Sequence, residues 1–307
     1  MWRLLSGVFL GWSLGANDSA NVFGTGVTTG IVRYRTAIVL TAIFVILGAL
    51  LEGPKCMKIV GELSHILPND AFSCALAAAI TMTLMTYLAI PASASQAIIG
   101  AVIGASILSG SADFTKLYKI VACWVITPIG ALVAGYTIHR VLGYVLDKTV
   151  VSLTRRNLFY SAGIIATGCY SAYSLGANNV ANVTGVYVGS GMLTPETAAL
   201  VGGLSIAGGV LTYSKKVMMT IGKGIVPLDP FSALVAVLAE GIVLHLFTQI
   251  GVPVSSSQAI VGAVVGVGLV GDIQTVSGRM LAKIGLGWVL TPVLAGVITL
   301  GFTTLLT

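Results

Sequence analysis

Two stretches place amides and a carboxylate inside otherwise apolar sequence: SLGANDSANVFGTGVTTG (Ser13 to Gly30) and SLGANNVANVTGVYVGSG (Ser174 to Gly191). The first carries Asn17, Asp18 and Asn21; the second carries Asn178, Asn179 and Asn182. A carboxylate at bilayer depth costs about 2.5 to 3.5 kcal/mol even on the lenient insertion scale. Asparagine could cap a helix there at lower cost, as Asn179 does at the equivalent place. Asp18 is therefore expected to meet a cation, a proton or a protonated substrate. Gly15 and Gly176 can release a helix from regular geometry, and the Asn or Asp that follows can cap the next half-helix. A break at both motifs is expected, and a capped kink is the structural alternative to a binding role for the amides.

A second pair supplies hydroxyls and amides: PASASQAIIGAVIG (Pro91 to Gly104) and PVSSSQAIVGAVVG (Pro253 to Gly266). Each proline is expected to stop a preceding arm. Ser93, Ser95 and Gln96, and likewise Ser255, Ser256, Ser257 and Gln258, then sit at the N-terminus of the next arm. Exposed N–H groups and the helix dipole favour an anion there. Two such termini facing each other would make a small oxyanion cradle; capping alone is the structural alternative. Neither motif carries a nucleophile with a base in register, and no zinc-type His/Cys cluster appears, so an enzyme is disfavoured. His65, His139 and His245 are isolated, and His245 reads as a packing residue. Of the acidic residues in or beside apolar segments, Glu52 is a better functional candidate than Glu240, because it precedes the repeated block KCMKIVG; its counterpart is Tyr213. Lys55 and Lys216 recur and read either as vestibule charges or as snorkelling anchors.

The elements that must position these groups follow from composition. The 307 residues are 56% hydrophobic and 8% charged, against about 25% charged in soluble domains, and the mean hydropathy is +0.99. Apolar runs approaching the roughly 20 residues needed to cross a bilayer recur throughout, whereas alternating ten-residue strands do not. The chain reads as an all-α polytopic membrane protein. Its first apolar run follows Arg3 and could pass for a secretory signal. The motif within it reappears as part of a repeat, so it belongs to the mature chain. Cys56, Cys74, Cys123 and Cys169 show no CxxC spacing and read as small buried hydrophobes. The formal charge of +6 and pI near 9.2 come from scattered bases that act as topology signals and imply no nucleic acid.

The whole chain is duplicated. Ser13 falls on Ser174 and Lys55 on Lys216 at an offset of 161, Pro91 on Pro253 at 162, and Trp124 on Trp288 at 164. Repeats of 1–147 and 158–307 are expected, joined by a cytoplasmic linker 148–157 that contains Arg155 and Arg156. Each half reads as a segment broken at its GAN motif (4–30, 158–191), a second segment (36–53, 196–213), two arms around the Pro-Ser-Gln turn (71–110, 230–271) and a long final helix (118–146, 280–306). The total is about 10 to 12 membrane segments. Arg33 and Arg35 have no basic counterpart around Thr194–Glu196. Lys148, Arg155 and Arg156 follow the first half, and no base follows the second. Equivalent loops then lie on opposite sides. If the arms form a hairpin, Arg33, Arg35, Arg140, Lys148, Arg155, Arg156, Lys215, Lys216, Lys223, Arg279 and Lys283 lie inside, and Arg3, Lys55, Lys58, Lys116 and Lys119 outside. Both termini are then outside. Inverted repeats with broken helices are the pattern of secondary transporters, whose sites lie near the midplane.

With these residues in place, the sequence resembles the inorganic phosphate transporter (PiT) family of cation-coupled symporters over essentially its whole length. GANDSAN and GANNVAN are similar to that family's duplicated signature, and the paired P-x-S-x-S-Q-A-I blocks to its second duplicated element. The resemblance implies phosphate uptake with sodium or protons by alternating access, in a multi-pass cell-membrane protein and possible homodimer. Asp18, Asn21, Asn179 and Asn182, with Ser93, Ser95, Gln96, Ser255, Ser256, Ser257 and Gln258, would surround phosphate. Sodium ions, rather than any cofactor, would lie near Asp18, Asn17 and Asn178, and Glu52 matches a family position important for transport. Three departures stand out: Asn179 replaces a usual Asp, Gln96 and Gln258 replace usual His, and no large hydrophilic domain separates the halves. A sodium-coupled phosphate symporter is the leading expectation. A sulfate or related oxyanion permease on the same scaffold comes next, then a passive anion channel. Asp18 could accept a hydrogen bond from protonated phosphate but not from sulfate.

Overall fold

The computed structural model describes residues 2–62, 67–88, 90, 92–109, 114–150, 152–224, 228–270 and 278–306. His65 and Pro91 lie outside them. Twelve helices are described: α1 (Leu4–Thr28), α2 (Tyr34–Glu52), α3 (Pro54–Gly61), α4 (Pro68–Tyr87), α5 (Ala94–Ser109), α6 (Phe114–Thr149), α7 (Leu153–Gly189), α8 (Pro195–Tyr213), α9 (Lys215–Gly224), α10 (Pro230–Gln249), α11 (Ser256–Gly268) and α12 (Gly278–Leu306). The second six repeat the first six in order. Only 150–152 separate α6 from α7, so the expected linker 148–157 is largely helical and Arg155 and Arg156 stand in the first turn of α7.

The repeats are exchanged rather than side by side. Helix α1 packs on α8 and α9 as α7 packs on α2 and α3, and α5 packs on α12 as α11 packs on α6. Near the start of α1, Ser6 Oγ lies 2.7 Å from Tyr187 Oη, close to the end of α7. Near its end, Phe23 packs on Gly168 and Gly26 on Ile164. Helices α1 and α7 therefore run antiparallel, the relation that inverted repeats require. Along α4 the order is parallel to α1: Arg3 donates to Asn69, Ser13 meets Thr83, and Asn17 donates to Thr86. Helices α4 and α5 pack on each other across the short connection 88–93 and form a hairpin, as do α10 and α11.

The outer faces of α2, α6 and α12 expose Val39, Ile43 and Leu47, Val125, Ile129 and Val133, and Val289, Val293 and Val297. Side chains of this kind match hydrocarbon on a membrane span. Among the described residues five helices are long and apolar enough to cross a bilayer: α2, α4, α10 and most of α6 and α12. Helix α7 has 37 residues, about 55 Å at 1.5 Å per residue.

One expectation fails. Neither GAN motif breaks its helix: α1 is continuous from Leu4 to Thr28, and α7 from Leu153 to Gly189. The glycines serve packing instead. A Cβ on Gly15 would stand 1.9 Å from the Ile206 carbonyl oxygen, and one on Gly176 2.0 Å from that of Val45. Close backbone approach between membrane helices needs such small residues. The chain is broken at the hairpin tips instead.

Candidate functional site

The signature amides hold those tips. Asn178 Oδ1 accepts from the Val254 N–H at 2.8 Å, while its Nδ2 reaches Thr248 Oγ1 and the Val252 carbonyl, both at 3.1 Å. Asn17 repeats the pattern in the other half, donating to Thr86 Oγ1 at 2.9 Å and accepting from the Ala92 N–H at 3.5 Å. Backbone groups between two helix ends have no ladder partner and must find one when buried. Each asparagine thus caps a hairpin of its own half, not the half-helix expected to follow it. Thr86 and Thr248 stand five residues before Pro91 and Pro253, a recurrence visible in the sequence and passed over there.

Past the tips, Ser93 and Ser255 act as N-caps: Gln96 N–H donates to Ser93 Oγ and Gln258 N–H to Ser255 Oγ, both at 3.2 Å. Ser95 and Ser257 lie 3.1 and 3.0 Å from those capping hydroxyls. The polar residues do open α5 and α11, as their spacing predicts. The remaining first-turn N–H groups of each helix have no intrahelical acceptor.

Asp18 crosses between the halves. Ser256 Oγ, in the first turn of α11, donates to Asp18 Oδ2 at 2.7 Å, and Asn21 Nδ2 donates to Ser256 Oγ at 3.3 Å. In the second signature Asn182 donates to Asn179 Oδ1 at 2.9 Å. Asp18, Asn21, Asn179, Asn182, Gln96 and Gln258 are all buried. Asp18 Oδ1, Asn21 Oδ1, Asn182 Oδ1, Asn179 Nδ2 and both glutamine Oε1 atoms have no partner. Buried polar groups are rarely left unpaired. These unpartnered groups come from α1, α5, α7 and α11.

Glu52 stands elsewhere. It lies at the end of α2, where Lys55 Nζ (3.3 Å), His245 Nε2 (3.1 Å) and Gln249 Nε2 (2.9 Å) occupy its oxygens. His245 also meets Tyr170 Oη at 2.8 Å, so it is a polar bridge and not a packing residue. Lys55 donates to Gln249 Oε1 at 2.9 Å, and Lys216 to the Tyr87 carbonyl at 3.5 Å. Gln249 and Tyr87 end α10 and α4 at equivalent positions, so the recurring lysines tie down hairpin arms.

The model of the phosphate transporter family matches residues 14–157 and again 147–299, meeting at the α6–α7 junction. The chain belongs to the phosphate transporter family. A protein of Methanocaldococcus jannaschii named as a phosphate permease is 30% identical, with 96% of this chain and 94% of that one covered. The sulfate permease CysP of Bacillus subtilis is 27% identical over 95% of this chain and 84% of its own length. A solved structure titled the sodium-dependent phosphate transporter superposes with a TM-score of 0.87 at 21% identity, covering 100% of this chain and 99% of that one. The family member described here is thus a multi-pass membrane transporter and not an enzyme. Its duplicated family domain corresponds to the two six-helix halves.

Proposed function

We propose that this family member imports inorganic phosphate, driven by sodium, by alternating access. The observation that carries the reading is the Ser256–Asp18 hydrogen bond. It ties the carboxylate of one half to the first turn of a hairpin helix from the other. Cation sensing at Asp18 is thereby joined to the helix N-terminus suited to an anion. Phosphate lies against the first turns of α5 and α11, near Ser93, Ser95, Gln96, Ser255, Ser256, Ser257 and Gln258, with Asn21, Asn179 and Asn182. Sodium lies by Asp18. Asn17 and Asn178 stand beside it, each with an amide oxygen that accepts one N–H at a hairpin tip and keeps a second lone pair. The balance of Lys and Arg supports termini on the outer side of the cell membrane.

Sulfate is the second reading, favoured by the likeness to a sulfate permease and by Asn179 in place of a carboxylate. Reconstitution in liposomes with labelled phosphate, with and without an inward sodium gradient and with sulfate as competitor, decides. Accumulation against a phosphate gradient only with sodium supports the proposal. Downhill flux alone points to a channel, and strong sulfate inhibition to the second reading.

A further inference from the structure

Glu240 is fully buried in α10, where Ser171 Oγ of α7 donates to its Oε2 at 2.9 Å and Oε1 has no partner. Among the described residues Asp18 and Glu240 are the buried acidic side chains, and no Lys or Arg is buried. Helices α10 and α7, which carry Glu240 and Ser171, both pack on α1, which carries Asp18. Two carboxylates buried in a membrane interior, with no basic partner, are neutralised either by a bound proton or by a cation from outside the chain.

The repeat makes the placement informative. Glu240 corresponds to Ala78, Ser171 to Leu10, Ser256 to Ala94, and Asp18 to Asn179. Every one of these counterparts is buried, so the symmetry-related region is an intact part of the core. Four differences thus have one direction. The Asp18 side holds two carboxylates and two hydroxyls; the Asn179 side holds an amide, two alanines and a leucine. Helix capping does not explain Glu240, since α10 is helical well to both sides of it and the mate helix α4 has Ala78 at that position.

The structure assigns to Glu240 and Ser171, both of the second repeat, a sodium-binding role on the Asp18 side of the cluster, where Glu240 supplies the second carboxylate that the Asn179 side lacks. The donors are carboxylate and hydroxyl oxygens, with the unpartnered Asn21 Oδ1 on the same helix as Asp18, the chemistry a hard cation takes. The inference rests on the sodium reading above.

The test is equilibrium binding of radioactive sodium to purified protein in detergent at fixed pH, for the wild type, Glu240→Gln and Ser171→Ala. Glutamine keeps the volume and can still accept from Ser171. At least a tenfold loss of sodium affinity in Glu240→Gln with unchanged thermal stability is expected, and about threefold in Ser171→Ala. Wild-type sodium affinity in a folded Glu240→Gln protein overturns the assignment. If Glu240→Gln does not fold, Ser171→Ala decides, and unchanged sodium affinity there overturns it. A wild type that accumulates phosphate without sodium and binds none overturns the sodium reading as well. Sodium binding that survives Glu240→Gln removes only Glu240.

Discussion

Asp18 and Ser256 stand 238 residues apart in the chain and 2.7 Å apart in the fold, one from each repeat. At the symmetry-equivalent place Asn179 would face Ala94, again one residue from each repeat, a pair with no such bond to make. One side of the duplicated cluster thus carries an ionisable group where the other is neutral.

Asp18→Asn is expected to abolish sodium-driven phosphate uptake while leaving the protein inserted and folded, since Asn179 shows that an amide is accepted at this position. Uptake by proteoliposomes against sodium concentration checks it. Normal sodium activation would remove Asp18 from the coupling site.

Ser256→Ala removes the donor to the carboxylate, and hydrogen bonds to charged groups are worth about 1.5 to 3 kcal/mol. The sodium concentration for half-maximal uptake should rise by roughly tenfold or more, at 1.4 kcal/mol per decade. Ala94→Ser in the other half should change it little. Equal effects from the two substitutions would show that the asymmetry between the halves is idle.

Asn178→Ala should destabilise the protein more than Asn17→Ala. Asn178 engages Val254, Val252 and Thr248 within 3.1 Å, whereas the Asn17 contact with Ala92 is stretched to 3.5 Å. Each buried partner left unsatisfied costs about 1 to 3 kcal/mol. Thermal unfolding in detergent ranks the two, and the reverse order would reject the capping role given to these residues.

Gly15→Ala and Gly176→Ala test what the signature glycines do. If they served only to weaken a helix, alanine would stabilise by up to about 1 kcal/mol. The Ile206 and Val45 carbonyls in the way are backbone atoms that cannot rotate aside. A loss of about 1 to 3 kcal/mol or more, typical of overpacking, should appear as lower melting temperature and yield. Gly208→Ala, with open space at its Cβ, is the control.

Much of this architecture was legible along the chain. The near-constant offset gave the repeat, the placement of Lys and Arg argued for inversion, and paired Pro-Ser-Gln blocks marked where α5 and α11 begin. The GAN motifs misled because glycine followed by asparagine has two physical uses. One is a helix break with a cap. The other is close packing of an unbroken helix whose asparagine satisfies someone else's backbone. Local sequence does not distinguish them; the position of Ile206 and Val45 does.

Glu240 and Glu52 show the same limit. In sequence both are carboxylates at apolar segments, and proximity to a repeated block favoured Glu52. In the fold Glu52 is held by Lys55, His245 and Gln249, and Glu240 is buried with one oxygen unpartnered. Composition and repetition by themselves determined that this is a helical membrane protein built twice, because hydrophobicity and self-similarity are carried by each segment alone. Which polar groups meet was decided only by tertiary structure. Asp18 reaches Ser256, and Asn178 reaches Val254, through antiparallel packing of exchanged halves, a relation that spans distances no local pattern encodes.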